Sequence, residues 1–188
     1  MSSRIFIEPL RPLDELLREA TGEDLQATAS FSAPSRRREA LAWRALARCR
    51  IGRDARFGYD EWGAPVIENH PLYISVSHSR RSVAVIVSDR PCAIDIESRE
   101  RDFGKVLSRY LSPQGQALSA HPDFAAVAWC AKECLYKYHR RGGIDLLHDL
   151  QITAVDFAQG TICGTILGGE EIGLRIWLRD DEIVVATE

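Results

Sequence analysis

The sequence predicts an α+β protein of two similar lobes, each a helix packed on an antiparallel sheet. Two observations carry that expectation. Helical patterns give way to runs of short β-rich segments broken by turn signals, and this order, helices and then a meander, occurs twice along the 188 residues. The length suits one ordinary domain or two small ones, and a hydrophobic content of 45% is ample for a buried core. The lobes are expected over residues 1–98 and 99–188, although no repeat at the residue level accompanies the repeated order of elements.

In chain order, residues 4–8 read as an opening strand, followed by a helix over about 13–20 that Gly22 ends. Ser35 is a candidate N-cap for a helix through residues 36–47, whose Ala, Leu and Arg content favours helix. Leu41, Ala45 and Leu46 form its inward stripe. Arg37 and Arg44, two turns apart on one face, are placed to meet a single anion. Gly63-Ala64-Pro65 signals a turn, and 72–77 and 83–87 are β-rich runs. Asp89-Arg90-Pro91 then turns the chain into a strand ending at Ser98. In the second half, helices are expected over 103–111, 114–119 and 124–140. Strands follow near 150–157, 160–167, 171–178 and 183–186.

Composition narrows the function classes. A net charge of −3 does not suit a general nucleic-acid binder, yet the arginines cluster at 36–38, 80–81, 99 with 101, and 140–141. Local basic patches on a mildly acidic chain fit a phosphorylated ligand or an acidic partner. No apolar run approaches the length of a membrane helix, and the N-terminus does not resemble a secretory signal, so a cytoplasmic protein without membrane partners is expected. Five cysteines, with no C-x-x-C pair, argue against a disulfide framework or a structural zinc.

The chemistry concentrates in two stretches. In Cys92-Ala93-Ile94-Asp95-Ile96-Glu97-Ser98 two carboxylates stand two residues apart within an apolar run. On a strand they share one face while Ile94 and Ile96 take the other. Two adjacent anions repel each other, and a hard cation such as Mg2+, which favours oxygen ligands, relieves that repulsion. The second stretch is Trp129-Cys130-Ala131-Lys132-Glu133-Cys134-Leu135-Tyr136-Lys137, expected on a helix. There Glu133 and Lys137 share a face, with Lys132 and Tyr136 flanking it. Three carboxylates for a metal and two ammonium groups for bridged phosphates make a coherent set.

Together, Ala93-Ile94-Asp95-Ile96-Glu97 and Trp129-x-x-Lys132-Glu133-x-x-x-Lys137 resemble the two-part signature of the 4'-phosphopantetheinyl transferases, especially the larger, Sfp-type branch. Gly63-Ala64-Pro65 and Ser75-Val76-Ser77-His78-Ser79 resemble that family's G-x-P turn and S-x-S-H-S segment, in the same order. The resemblance covers roughly residues 36 to 152 and implies the family's pseudo-twofold fold. It implies Mg2+-dependent transfer of the phosphopantetheine arm of coenzyme A to a serine of an apo acyl or peptidyl carrier protein, releasing 3',5'-ADP. That is the activity of a holo-[acyl-carrier-protein] synthase. By position, Asp95, Glu97 and Glu133 match the metal ligands, and Lys132 and Lys137 the phosphate-facing lysines. Ser77 and His78 match the residues that hold the 3'-phosphate of coenzyme A, and Arg44 an N-terminal arginine that assists them. A monomer is expected, because both halves of the site lie in one chain.

Three positions depart from the family pattern. Ala93 replaces a frequent Gly, Ala64 replaces a basic residue of the G-x-P turn, and Gly115 in Leu111-Ser112-Pro113-Gln114-Gly115 stands where Glu is common. The last removes the usual base for the serine hydroxyl. Two other classes compete: a metal-dependent nuclease or phosphodiesterase, which would bind nucleic acid with a steep salt dependence, and a non-catalytic carrier-protein binder related to the transferases.

Overall fold

The computed structural model describes residues 3–187. The N-terminal half contains β1 (Arg4–Pro9), α1 (Leu13–Glu19), α2 (Gly22–Ala27), α3 (Pro34–Ile51), β2 (Phe57–Tyr59), β3 (Pro65–Ile67), β4 (Tyr73–His78) and β5 (Ser82–Ser88). Next come β6 (Ile94–Ser98), a 3-10 helix (Gly104–Arg109), α4 (Pro113–Gln116) and α5 (Phe124–His139). The chain closes with β7 (Leu150–Asp156), β8 (Thr161–Ile166), β9 (Ile172–Leu178) and β10 (Glu182–Thr187). Helices and antiparallel sheets are mixed as an α+β chain requires.

Three sheets form, of order β1-β5-β4, β6-β10-β9-β8-β7 and β2-β3. The side-chain alternation of β5 shows how the two larger ones stack. Val83, Val85 and Val87 pack with Leu41, Trp43 and Leu46 of α3, whereas Ala84 and Ile86 pack with Ile94, Ile96, Val184 and Ala186 of the second sheet. The first sheet therefore lies between α3 and the second sheet. On the far side, Ile183 and Val185 of β10 join Val127, Ala131, Cys134 and Leu135 in the core around α5. The result is a stack of α3, three strands, five strands and α5.

β6 was expected to complete the N-terminal meander. Instead it hydrogen-bonds to β10, with Asp95 opposite Val185 and Glu97 opposite Ile183. Its contact with β4 runs through side chains, as the Ser75 and Ser77 hydroxyls accept from the backbone N–H groups of Ile94 and Ile96 at 3.3 Å. Since Asp95 shares a face with Val185, it points toward α5.

Three local features differ from expectation. Gly22 does not simply end α1; it opens α2, whose start is fixed by a capping box between Thr21 and Asp24. Ser35 does not cap α3, which begins at Pro34 after Ala33 with no side-chain cap. The expected helix over 103–111 is a 3-10 helix. α5 stops where Arg140 turns left-handed, at φ 55°, ahead of Gly142 and Gly143.

Candidate active site

The centre of the site is the Asp95 carboxylate, buried between β4 and α5. Its Oδ1 accepts from the Ser77 hydroxyl and from Lys137 Nζ, each at 2.7 Å. Lys137 Nζ also donates to the Ile94 carbonyl at 2.9 Å. Burial pulls the Lys137 pKa down, but the charge and hydrogen bond of Asp95 together with the neighbouring Cys134 and Glu133 outweigh it, and the net shift is upward. The other oxygen of Asp95, Oδ2, is buried and accepts no side-chain or backbone hydrogen bond within normal distance and angle among the described residues.

Glu97, one pleat further along β6, is half-buried and accepts from Arg101 Nη1 at 2.5 Å. Burial, reinforced by the neighbouring Asp95 charge, pushes its pKa up to about 6 against the pull of Arg101 and a Trp129 side-chain bond. Glu133, on the facing turn of α5, is likewise raised by burial and then by Asp95, with Lys137 and Arg101 opposing. Glu97 and Glu133 therefore both feel the Asp95 charge.

Does this set fit Mg2+? The donors are the hard oxygens such an ion takes. One buried oxygen of Asp95 accepts no hydrogen bond of normal geometry among the described residues, and Glu97 and Glu133 are both held above their ordinary range by burial and then by Asp95. As the side chains stand, no group of three such residues is close enough to grip an ion among the described residues. The carboxylates would have to draw together around it. The donor atoms are of the kind such a cation takes, while Lys137 and Arg101 already supply positive charge to Asp95 and Glu97.

Other expected residues are placed differently. Lys132 is fully buried and its ammonium donates to the carbonyls of Leu146, at 2.6 Å, and of Leu150. It faces the backbone that leads into β7 and not the carboxylates. Adjacent positions on a helix lie about 100° apart, so Lys132 cannot share the Glu133 face. Arg44 is also buried: its Nε lies 3.6 Å from Asp24, its Nη1 donates to the Tyr59 hydroxyl at 3.2 Å, and its guanidinium sits 4.3 Å over the Trp43 ring. It ties α2 and α3 together, and Arg37 does not join it on a shared anion. Ser77 is committed to Asp95 and Ile96, which makes it an orienting group for the carboxylate.

His78 is different. It is exposed, pairs with Glu39 at 3.2 Å, and lines a cleft of about 570 Å³ together with Arg38, Arg80, Glu97 and Arg101. Arg80 and Arg101 carried no role in the sequence reading beyond their pairing in basic clusters. A second hollow of about 220 Å³ lies on the Lys137 side, between Trp62, Pro65, Val76, Tyr136 and Arg140. Its wall includes Gly63, Ala64 and Pro65, and it is braced by Arg140 Nη2, which donates to Asp60 at 3.0 Å and to the Pro65 carbonyl at 3.2 Å. Lys137 lines one hollow and Glu97 the other.

A family model described as the 4'-phosphopantetheinyl transferase superfamily matches residues 91–187. A 4'-phosphopantetheinyl transferase of Bacillus subtilis is 30% identical over 93 residues, which is 46% of this chain and 42% of that protein. The chain thus matches less than half the length of that relative. The family match spans β6 and α5, the two elements that bring Asp95, Glu97, Glu133 and Lys137 together.

Proposed function

Because the chain belongs to the 4'-phosphopantetheinyl transferase superfamily, we propose that it moves the phosphopantetheine arm of coenzyme A onto a serine hydroxyl of an apo acyl or peptidyl carrier protein. The observation that carries this reading is the buried Asp95, its Oδ1 held by Ser77 and Lys137, with Glu97 beside it on β6 and Glu133 facing it from α5. Asp95, Glu97 and Glu133 would hold Mg2+, which when bound supplies positive charge where phosphoryl oxygens become more negative. Lys137, fixed on Asp95, adds a second positive charge at the same place.

The serine oxygen attacks the β-phosphorus of coenzyme A. The bond from that phosphorus to the bridging oxygen breaks, and 3',5'-ADP leaves with the electron pair. The serine gives up its proton. Gly115 cannot take it, having no side chain, and a Cβ there would lie 3.2 Å from Leu111 and 3.5 Å from the Ser112 hydroxyl. We assign the proton to a carboxylate of the cluster, Glu133 being the one on α5. The cleft of Arg38, His78, Arg80 and Arg101 suits the 3'-phosphate, and the smaller hollow beside Trp62 and Pro65 suits the remainder of the nucleotide. The division into lobes 1–98 and 99–188 stays a proposal, with β6 of the first half paired into the sheet of the second.

Incubation with coenzyme A, Mg2+ and an apo carrier protein tests the proposal by mass spectrometry. A carrier heavier by one phosphopantetheine arm, only when Mg2+ is present, is the expected result. An unchanged carrier with strong, salt-sensitive DNA binding would favour the phosphodiesterase reading. An unchanged carrier that nevertheless binds the protein would favour the non-catalytic one.

A further inference from the structure

The last serine of the Ser75-Val76-Ser77-His78-Ser79 segment is not at the carboxylates. Ser79 turns the other way, toward the start of β10. The turn from Ser79 to Ser82 is closed by a Ser79 N–H to Ser82 carbonyl bond of 2.9 Å. The Ser79 hydroxyl also accepts from the N–H groups of Arg81 and Ser82, each at 2.9 Å. That hydroxyl in turn donates to Glu182 Oε1, and the Ser82 hydroxyl donates to Glu182 Oε2 at 2.8 Å. Glu182, Ser79 and Ser82 are all buried. Both oxygens of a buried carboxylate are thus satisfied by the two hydroxyls of one turn, about 100 residues away in sequence.

The placement of this joint matters. Glu182 stands opposite Ser98 in the β10–β6 ladder, next to the Ile183–Glu97 pair. The turn it grips carries His78 and Arg80, both of which line the basic cleft with Glu97. Outside, Arg81 braces the same joint by donating to Asp181 at 2.7 Å and Glu100 at 3.1 Å. The β4–β5 ladder and a Leu10 N–H to Arg81 carbonyl bond of 2.7 Å hold the turn within its own sheet, and the Glu182 carboxylate adds its orientation relative to β10. Two directed bonds fix it.

We infer that Glu182 is a positioning residue: by gripping Ser79 and Ser82 it holds His78 and Arg80 in register with Glu97 across the cleft. This rests on the proposed transfer reaction for its effect on rate, though not for its effect on the turn. Loss of Glu182 weakens the hold on the phosphate end of coenzyme A while leaving the reacting carboxylates in place.

The test compares wild type, Glu182→Ala, Glu182→Gln and Ser82→Ala. Amide hydrogen exchange needs no substrate and reads the joint itself: Glu182→Ala is expected to speed exchange at Arg81 and Ser82 while β10 stays protected. In transfer assays it should raise KM for coenzyme A about tenfold, in the range for groups that orient a binding residue, with kcat little changed and a smaller rise for the 3'-dephospho form. Glu182→Gln should recover part of the loss. In a His78→Ala background, Glu182→Ala should add little, since coupled residues do not sum. Unchanged exchange at the turn overturns the inference, as does an equal KM rise for both substrates or full additivity with His78→Ala. If Glu182→Ala does not fold, Ser82→Ala, which removes one of the two bonds, carries the same readouts at smaller amplitude. A wild-type protein that transfers nothing overturns the functional proposal alone, and the exchange data still decide the joint.

Discussion

Each side chain in the site is defined by what its polar atoms already hold. Ser77 gives its hydroxyl to Asp95, so Ser77→Ala should let the carboxylate rotate and reduce kcat/KM by about 10–100-fold, the range for groups that orient a ligand. KM for coenzyme A should barely move, and steady-state kinetics separate that outcome from loss of a phosphate contact. Lys132 makes the opposite case, because its ammonium is bound to two carbonyls within the fold. Burial lowers its pKa to about 8, with only Asp145 countering. Lys132→Met should therefore cost about 1–3 kcal/mol of stability by orphaning buried carbonyls, seen as a lower Tm, while coenzyme A affinity of the folded protein is retained. Both residues were picked out by motif position. Which atom each would bond was not legible, since Ser77 and Asp95 are 18 residues apart and meet only when β4 lies against β6.

Among the elements, α2 was missed because six residues beginning with Gly show little periodicity; its one sequence signal is Thr21 followed three residues later by Asp24. That aspartate anchors α2 to α3. Arg48 donates to its Oδ2 at 2.5 Å and to its Oδ1 at 3.1 Å, and Arg44 lies beside it. Burial alone would raise the Asp24 pKa, but the bonds from Arg48 and Thr21 prevail and lower it. With the folded pKa below the unfolded value, the unfolded chain binds more protons between them. The stabilisation is present above the unfolded pKa of 3.8 and is lost as pH falls through the folded one. Asp24→Asn should then lower Tm near neutral pH and flatten its decline in acid, as measured by thermal melts across pH 2–7. At α5, Gly164 of β8 lets the helix come close: a Cβ there would lie 2.7 Å from Leu135 Cδ1 and 2.6 Å from the Gln151 carbonyl. Gly164→Ala should destabilise by about 1–3 kcal/mol through overpacking, again read as Tm.

For the whole molecule, one chain supplies both β6 and α5 and brings them side by side, with Lys137 of α5 on Asp95 of β6, so we expect a monomer in sedimentation whose transfer rate per chain does not depend on protein concentration. Coenzyme A with Mg2+ should stabilise it by about 2.7 kcal/mol at a hundred times Kd. Periodicity and turn residues were enough to establish most helices and strands, their order, and the shared face of Asp95 and Glu97, because these follow from local backbone geometry. The two-part motif likewise marked the carboxylates as a set. Only the tertiary structure decided that β6 pairs with β10, that Lys132 and Arg44 turn inward, and that Ser79 and Ser82 close on Glu182. The reason is physical: a motif states which residue types are present, whereas the partner of a buried polar atom is whichever group the packing of distant segments brings within hydrogen-bond reach.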